Sequence, residues 1–312
     1  GSGVVSVLNG RPGGASYGSI TAPTDVGSGA GISNNYGGKG GGGVQFTVAN
    51  GLVINGNIRA NGQSADVGSA VDYGGGAGGS IYVDAGTISG TGNVVAQGGD
   101  SNVDGGAGGG GRIAAYFENN TTSLASLYAN GGTNESTTKP NFGGAGTLYL
   151  KADADTYGDL YIKNNDLDDG NDDRWHGKTF LTGISNVDEL TLANKGNLEI
   201  TSDTNLSYYT LTWSEGIITD NGGTFALVSG GGDILIPAAA KYVANTPRTF
   251  TSVVVNGTLT HSENAFAEDH KIFLTTSGNF SVTGGGRIDV DDLGFYLGSG
   301  TGAGADAGTY GS

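Results

Sequence analysis

Four times the sequence runs a cluster of glycines directly into a strand-forming stretch. The segments are GGKGGGGVQFTV (37–48), GGGAGGSIYVDA (74–85), GGAGGGGRIAAYF (105–117) and GGAGTLYLKA (143–152). Glycine loses more backbone freedom on folding than any other residue, so its recurrence beside strands implies that close backbone approach is being used. A second stretch follows each one: NIRANG (57–62), NVVAQGG (93–99), SLYANGG (126–132) and DLYIKN (159–164). Equivalent positions lie roughly 32 to 37 residues apart, a spacing that belongs to stacked repeat architectures.

Alternation within each strand predicts which side chains stack. Successive side chains of a strand point to opposite faces. Val44/Phe46/Val48, Ile81/Val83/Ala85, Ile113/Ala115/Phe117 and Leu148/Leu150 are therefore expected inward, with Gln45, Tyr82, Ala114 and Tyr149 outward. In the second stretch, Ile58, Val94, Leu127 and Leu160 make one interior column, and Ala60, Ala96 and Ala129 a smaller one. Large on large and small on small fits an all-β chain wound as a right-handed parallel β-solenoid. The competing arrangement is an antiparallel meander, because Asn-Gly is a strong hairpin signal and occurs at Asn50, Asn55, Asn61 and Asn256. Asn-Gly also suits tight solenoid corners, and a meander gives no reason for the glycine cluster to return before each first strand.

From about Asp166 the glycine density falls and strand-turn-strand units appear, such as ELTLANKGNLEIT (189–201), SVVVNGTLTH (252–261) and KIFLTTSGNFSVTGGGRIDVD (271–291). Further solenoid turns are expected here, with a β-sandwich as the alternative. The domain reading is glycine-rich repeats over 1–163, an acidic junction over 164–177, a second β-rich region over 178–295 and a glycine-rich tract over 296–312 that joins the next subunit.

Composition narrows the function classes. The 312 residues include 63 Gly, 5 Pro and no Cys, with no strict Gly-X-Y period, so collagen is excluded. Low-complexity disorder competes, but 36% of the chain is hydrophobic and arrives as short alternating strands. A net charge of −16 repels phosphate backbones and anionic lipid, which disfavours nucleic-acid partners. Thiol chemistry is absent with the cysteines, and no apolar run approaches the ~18 residues of a membrane span. The Gly-Ser start without Met suggests a processed chain or fragment.

The order GRIDVDDLGFYLGSG (286–300), YGS (17–19), GSGAG (27–31), GGGG-strand-ANG, GGAGGS-IYV and GGGGRIAAYF resembles the glycine-rich repeat regions of very large secreted bacterial surface proteins. The resemblance covers residues 11–150 and 224–300. It implies an extracellular β-helical stalk, adhesin or fibre and carries over no catalytic residues. It also implies that one copy continues into the next, which places Tyr17, Gly18, Ser19, Phe295, Tyr296 and Tyr310 at a self-assembly contact.

Three chemistries remain to be weighed. NNDLDDGNDD opens with Asn164, Asp166 and Asp168 at the spacing of an EF-hand loop, so Asn164, Asp166, Asp168, Asp169, Asp172 and Asp173 are candidate Ca²⁺ ligands. Against this, Asp169 stands where the loop needs Gly and no Glu closes it; a solvated acidic loop is the plainer reading. Outward Tyr82, Tyr149, Tyr161, Trp175 and Trp213 are candidates for stacking on sugar rings of a surface polysaccharide, although exposed aromatics often stack on one another. A polysaccharide lyase or hydrolase is the least supported, since no partnered carboxylate pair or histidine set is visible. The expectation is a non-enzymatic extracellular protein that assembles head to tail into a filament or stalk, with an adhesin or carbohydrate-binding module as the alternative.

Overall fold

The computed structural model describes residues 14–31, 37–65, 73–102, 105–120, 126–134, 142–165, 177–228, 232–296 and 299–300. Among them the chain is all-β, without an α-helix, and its sheets are mostly parallel. The glycine-rich half supplies β1 (Gly43–Val53), β2 (Asn57–Arg59), β3 (Ser80–Ser89), β4 (Asn93–Val95), β5 (Arg112–Asn120), β6 (Leu127–Tyr128), β7 (Thr147–Ala152) and β8 (Asp159–Lys163). Up to β7, strands pair with the equivalent strand of the neighbouring repeat rather than with the next strand in sequence; β7 pairs with β8 as well. Val44 pairs with Ile81, Ile81 with Ile113 and Ile113 with Leu148; Ile58 pairs with Val94 and Val94 with Leu127. Ile81, Val83, Ile113, Leu148, Val94 and Ala96 lie in one buried cluster, so alternation in the sequence does mark the inner face.

The glycine segments form a backbone layer beside these strands. Gly75 and Gly78 donate their N–H groups to Gly106 and Gly109 of the following repeat, at 3.1 and 2.9 Å. Gly76 and Gly79 donate to Gln63 and Ala60, at 2.9 and 2.7 Å, while Ala77 and Ser80 turn to Ser28 and Gly42. The direction thus returns every third residue, as an extended threefold backbone with no internal hydrogen bonds requires. Such a chain satisfies its donors only by packing against several others, which leaves no room for Cβ where the backbones lie closest. A Cβ on Gly79 would lie 1.9 Å from Gly42 O, one on Gly111 2.1 Å from Gly79 O, and one on Gly146 1.9 Å from Gly111 O.

The second half contributes β9 (Thr179–Phe180), β10 (Asn186–Ala193), β11 (Asn197–Ile200), β12 (Asn205–Trp213), β13 (Glu215–Asp220), β14 (Thr224–Leu227) and β15 (Ile234–Ile236). They are followed by β16 (Ala239–Ala244), β17 (Arg248–Phe250), β18 (Val253–Val255), β19 (Thr258–Thr260), β20 (Leu274–Thr276), β21 (Phe280–Val282) and β22 (Arg287–Ile288). Here too the strand-turn-strand units do not fold on themselves. Across Asn256-Gly257, β18 pairs with β15 and β21, whereas β19 pairs with β16 and β22. Asn-Gly is a corner at this site, not a hairpin. A chain of polar contacts links successive turns of this half: Lys178 bonds Glu199 (2.6 Å), Asn221 bonds Glu199 (2.8 Å), Asn245 bonds Asn221 (2.6 Å) and Asn245 bonds Ser262 (2.8 Å).

The two halves share an eight-stranded sheet, β1-β3-β5-β7-β8-β10-β12-β14, but bury opposite faces of it. The switch is the antiparallel pair β7–β8, where Leu148 faces Tyr161 and Tyr149 faces Leu160. Residues directly opposite in an antiparallel pair share a face. Leu148 therefore belongs to the first core, while Tyr149 sits with Leu160, Ile162, Leu190 and Leu192 in the second. This corrects two expectations. Leu160 does not continue the column of Ile58, Val94 and Leu127, and the outward face of the first half is covered. Its cover is the segment 14–31, with Ile20 buried in the same cluster as Ala114 and Tyr149, and Tyr116 Oη donating to Thr21 O at 2.9 Å.

Candidate functional site

Three apolar columns run through the second half and emerge at its last strands. Ile234, Val253 and Phe280 are in register, as are Ile236, Val255 and Val282, and Tyr242, Leu259 and Ile288. The first two members of each column are buried, whereas Phe280, Val282 and Ile288 are 42%, 45% and 47% exposed. Phe266, Phe273, Val290, Phe295 and Tyr296 are exposed in the same region. Eight of the fifteen exposed large apolar side chains among the described residues thus fall within residues 266–296, a denser grouping than scattered surface hydrophobics would give. No strand among the described residues pairs with the outer edges of β20, β21 and β22, whose backbone donors and acceptors point outward.

Local chemistry shapes this surface. Lys271 bonds Glu268 at 2.6 Å and holds that carboxyl below its usual range, and Arg287 lies 3.6 Å from Asp289 while donating to Thr258. Asn264 ties the approach together: its Oδ1 accepts from the backbone of Asp269 and His270, and its Nδ2 donates to the carbonyls of His270 and Leu293. Phe266 meets Tyr296 edge-on at 5.9 Å, and Tyr296 N–H donates to Ala265 O. Tyr296 and Phe295 were expected at a self-assembly contact and lie in this patch. Tyr310 lies outside the described residues.

Tyr17, Gly18 and Ser19 are placed elsewhere, on the segment that covers the first half. The Arg112 guanidinium sits 5.3 Å from the Tyr17 ring centroid, and burial pushes the Arg112 pKa down. Gly18 has φ +85°, and a Cβ there would lie 2.6 Å from Asp25 Oδ2 and 3.2 Å from the Arg112 guanidinium. Ser19 Oγ accepts from Ala22 N–H.

The aromatics expected to stack on sugars are mostly enclosed. Tyr82, Tyr116 and Tyr149 form a ladder with centroids 5.6 and 5.8 Å apart beneath residues 14–31, and Tyr149 is 4% exposed. Trp213 is 8% exposed in the second core, and Tyr161 is half-buried under Lys163, its phenol pushed up to about 12 by burial and by Asp159. Trp175 lies outside the described residues. No pattern in the sequence singles out one further pair: Tyr209, exposed, stacks on Tyr157 at 6.1 Å and 24°.

Of the candidate Ca²⁺ ligands, Asp166, Asp168, Asp169, Asp172 and Asp173 lie outside the described residues. Asn164 is buried, and its side chain is used internally: Oδ1 accepts from Gly131 N–H at 2.8 Å and Nδ2 donates to Gly143 O at 3.0 Å. It pins the glycine layer to β8. Comparison of the chain with protein-family models, with curated proteins and with solved structures finds no match in any of the three.

Proposed function

We propose that this chain is an extracellular structural protein, wound as a right-handed parallel β-solenoid, that assembles end to end into a filament or surface stalk. Parallel pairing between strands one repeat apart supports the winding, and parallel connections are overwhelmingly right-handed. The observation that carries the assembly is the emergence of the columns ending in Phe280, Val282 and Ile288 at a strand edge with no described partner. A stack of this kind leaves each copy a surface like the one it buries, and contacts that do not close on themselves extend into fibres. The test is sedimentation and negative-stain imaging of the purified chain across a range of concentrations. Lengthening particles are expected; a monomer at every concentration would sink the reading.

The stacked Tyr157 and Tyr209 favour a second reading, an adhesin that presents an aromatic platform to a sugar ring. Glycan-array binding that disappears on Tyr209→Ala supports it, and an array without binding removes it.

A further inference from the structure

The two ends of the sheet stack differ in charge. Residues 37–65, which hold the outer strands β1 and β2, carry Lys39 and Arg59 and no Asp or Glu, in a chain of net charge −16. Both cations are exposed. Residues 263–296, at the other end, carry Glu263, Glu268, Asp269, Asp289, Asp291 and Asp292 against Lys271 and Arg287. Those two cations already sit beside Glu268 and Asp289, so Glu263, Asp269, Asp291 and Asp292 dominate the field there. The basic end also leaves its core partly bare. Val44, Phe46 and Ile58 are half-buried, where their partners in the next repeat, Ile81, Val83 and Val94, are buried. Each end therefore offers the same three things: a strand edge without a described partner, the ends of apolar columns, and a charge of one sign.

We infer that the partner of the acidic end at β20–β22 is the basic end at β1–β2 of a second copy of this chain. This rests on the end-to-end reading above and adds its polarity. Two acidic ends or two basic ends brought together juxtapose like charges at a desolvated contact, which opposes association, whereas the mixed contact attracts. The contact joins different surfaces on the two copies, so it does not close into a dimer.

The experiment uses the full chain and two charge-reversed forms, Lys39→Glu/Arg59→Glu and Glu263→Lys/Asp269→Lys/Asp291→Lys, each checked for an unchanged melting temperature. Analytical ultracentrifugation of the wild type is expected to show an open-ended concentration-dependent series. Each variant alone is expected to associate at least about tenfold more weakly, and an equimolar mixture to regain wild-type association, because each contact in it again pairs opposite signs. A wild type that stops at a dimer overturns the polarity but leaves self-association standing. Variants that assemble like the wild type, or a mixture that does not recover, overturn it as well. A wild type that stays monomeric removes this inference and the filament reading together.

Discussion

Tyr149 lies opposite Leu160 across the antiparallel β7–β8 pair, and this one pairing carries the hydrophobic core from one face of the long sheet to the other. Tyr149 is also tied to the hairpin loop, because its Oη donates to Tyr157 O. Burial, reinforced by Tyr116 and nearby carboxylates, raises the Tyr149 pKa, so the phenol remains a donor through the neutral range.

Truncating this side chain tests its role as the junction. Tyr149→Ala removes a buried aromatic at the meeting of the halves and is expected to cost about 3–5 kcal/mol. Tyr149→Phe keeps the ring and loses only the loop hydrogen bond, at about 1 kcal/mol. Urea unfolding of the three proteins measures both. Equal losses would show that the hydrogen bond, not the ring, holds the hairpin.

The glycine layer makes a sharper demand. A Cβ on Gly111 would meet Gly79 O at 2.1 Å and Gly79 N at 2.9 Å, both backbone atoms that no rotamer change can move. Gly42, in the equivalent cluster of the first repeat, has nothing within 4 Å of its Cβ position. Gly111→Ala is expected to destabilise by about 3 kcal/mol or more, or to prevent folding. Gly42→Ala should stay within about 0.5 kcal/mol of wild type. Comparable behaviour of the two would mean that the layer yields more readily than its close contacts imply.

Asp220 is the most enclosed charge among the described residues of the second half. It bonds the Arg248 guanidinium through both oxygens and accepts from Tyr242 Oη at 2.7 Å and Thr246 Oγ1 at 3.1 Å. Its hydrogen bonds are the main cause that raises the Arg248 pKa. Arg248→Ala strands a buried carboxylate and is expected to cost about 3–5 kcal/mol. Tyr242→Phe removes one bond to a charged group, at about 1.5–3 kcal/mol. Denaturant midpoints rank the two, and the reverse order would place the stability in the phenol instead of the ion pair.

What could be read in the sequence divides along a physical line. Period-2 alternation and the recurring glycines identified the inner columns at Val44, Ile81, Ile113 and Leu148, because those contacts repeat at fixed spacing. The β7–β8 reversal was hidden, since DLYIK alternates like any other second stretch and its turn, Asp153 to Gly158, lacks Asn-Gly. The cover over Tyr82, Tyr116 and Tyr149 comes from residues 14–31, far away in sequence, so alternation alone showed an open face. The exposed end was equally hidden. Phe280 and Ile288 alternate like core residues and are bare only because no described strand follows on their outer side.

The hairpin junction also predicts a pH dependence. Asp159 is pushed above the ordinary carboxylate range, first by burial and then by the negative charges of Glu189, Asp155 and Asp188, against a hydrogen bond from Glu189 N–H at 3.1 Å. Lys151 and Lys163 lie on the same two strands, but Lys151 Nζ is held by the carbonyls of Asp155 and Thr156 and Lys163 sits over the Tyr161 ring. A raised carboxyl binds its proton more tightly folded than unfolded. Its contribution to stability is therefore full below the unfolded value near about 4 and is lost as pH rises through the folded value. Asp159→Asn keeps the acceptor for Glu189 N–H and removes the charge. The variant is expected to melt higher than wild type at pH 7, with the gap closing as both are taken down toward pH 4. Melting curves across that range decide it: a variant less stable at pH 7 would show that the ionised Asp159 anchors β10 more strongly than its acidic neighbours repel it.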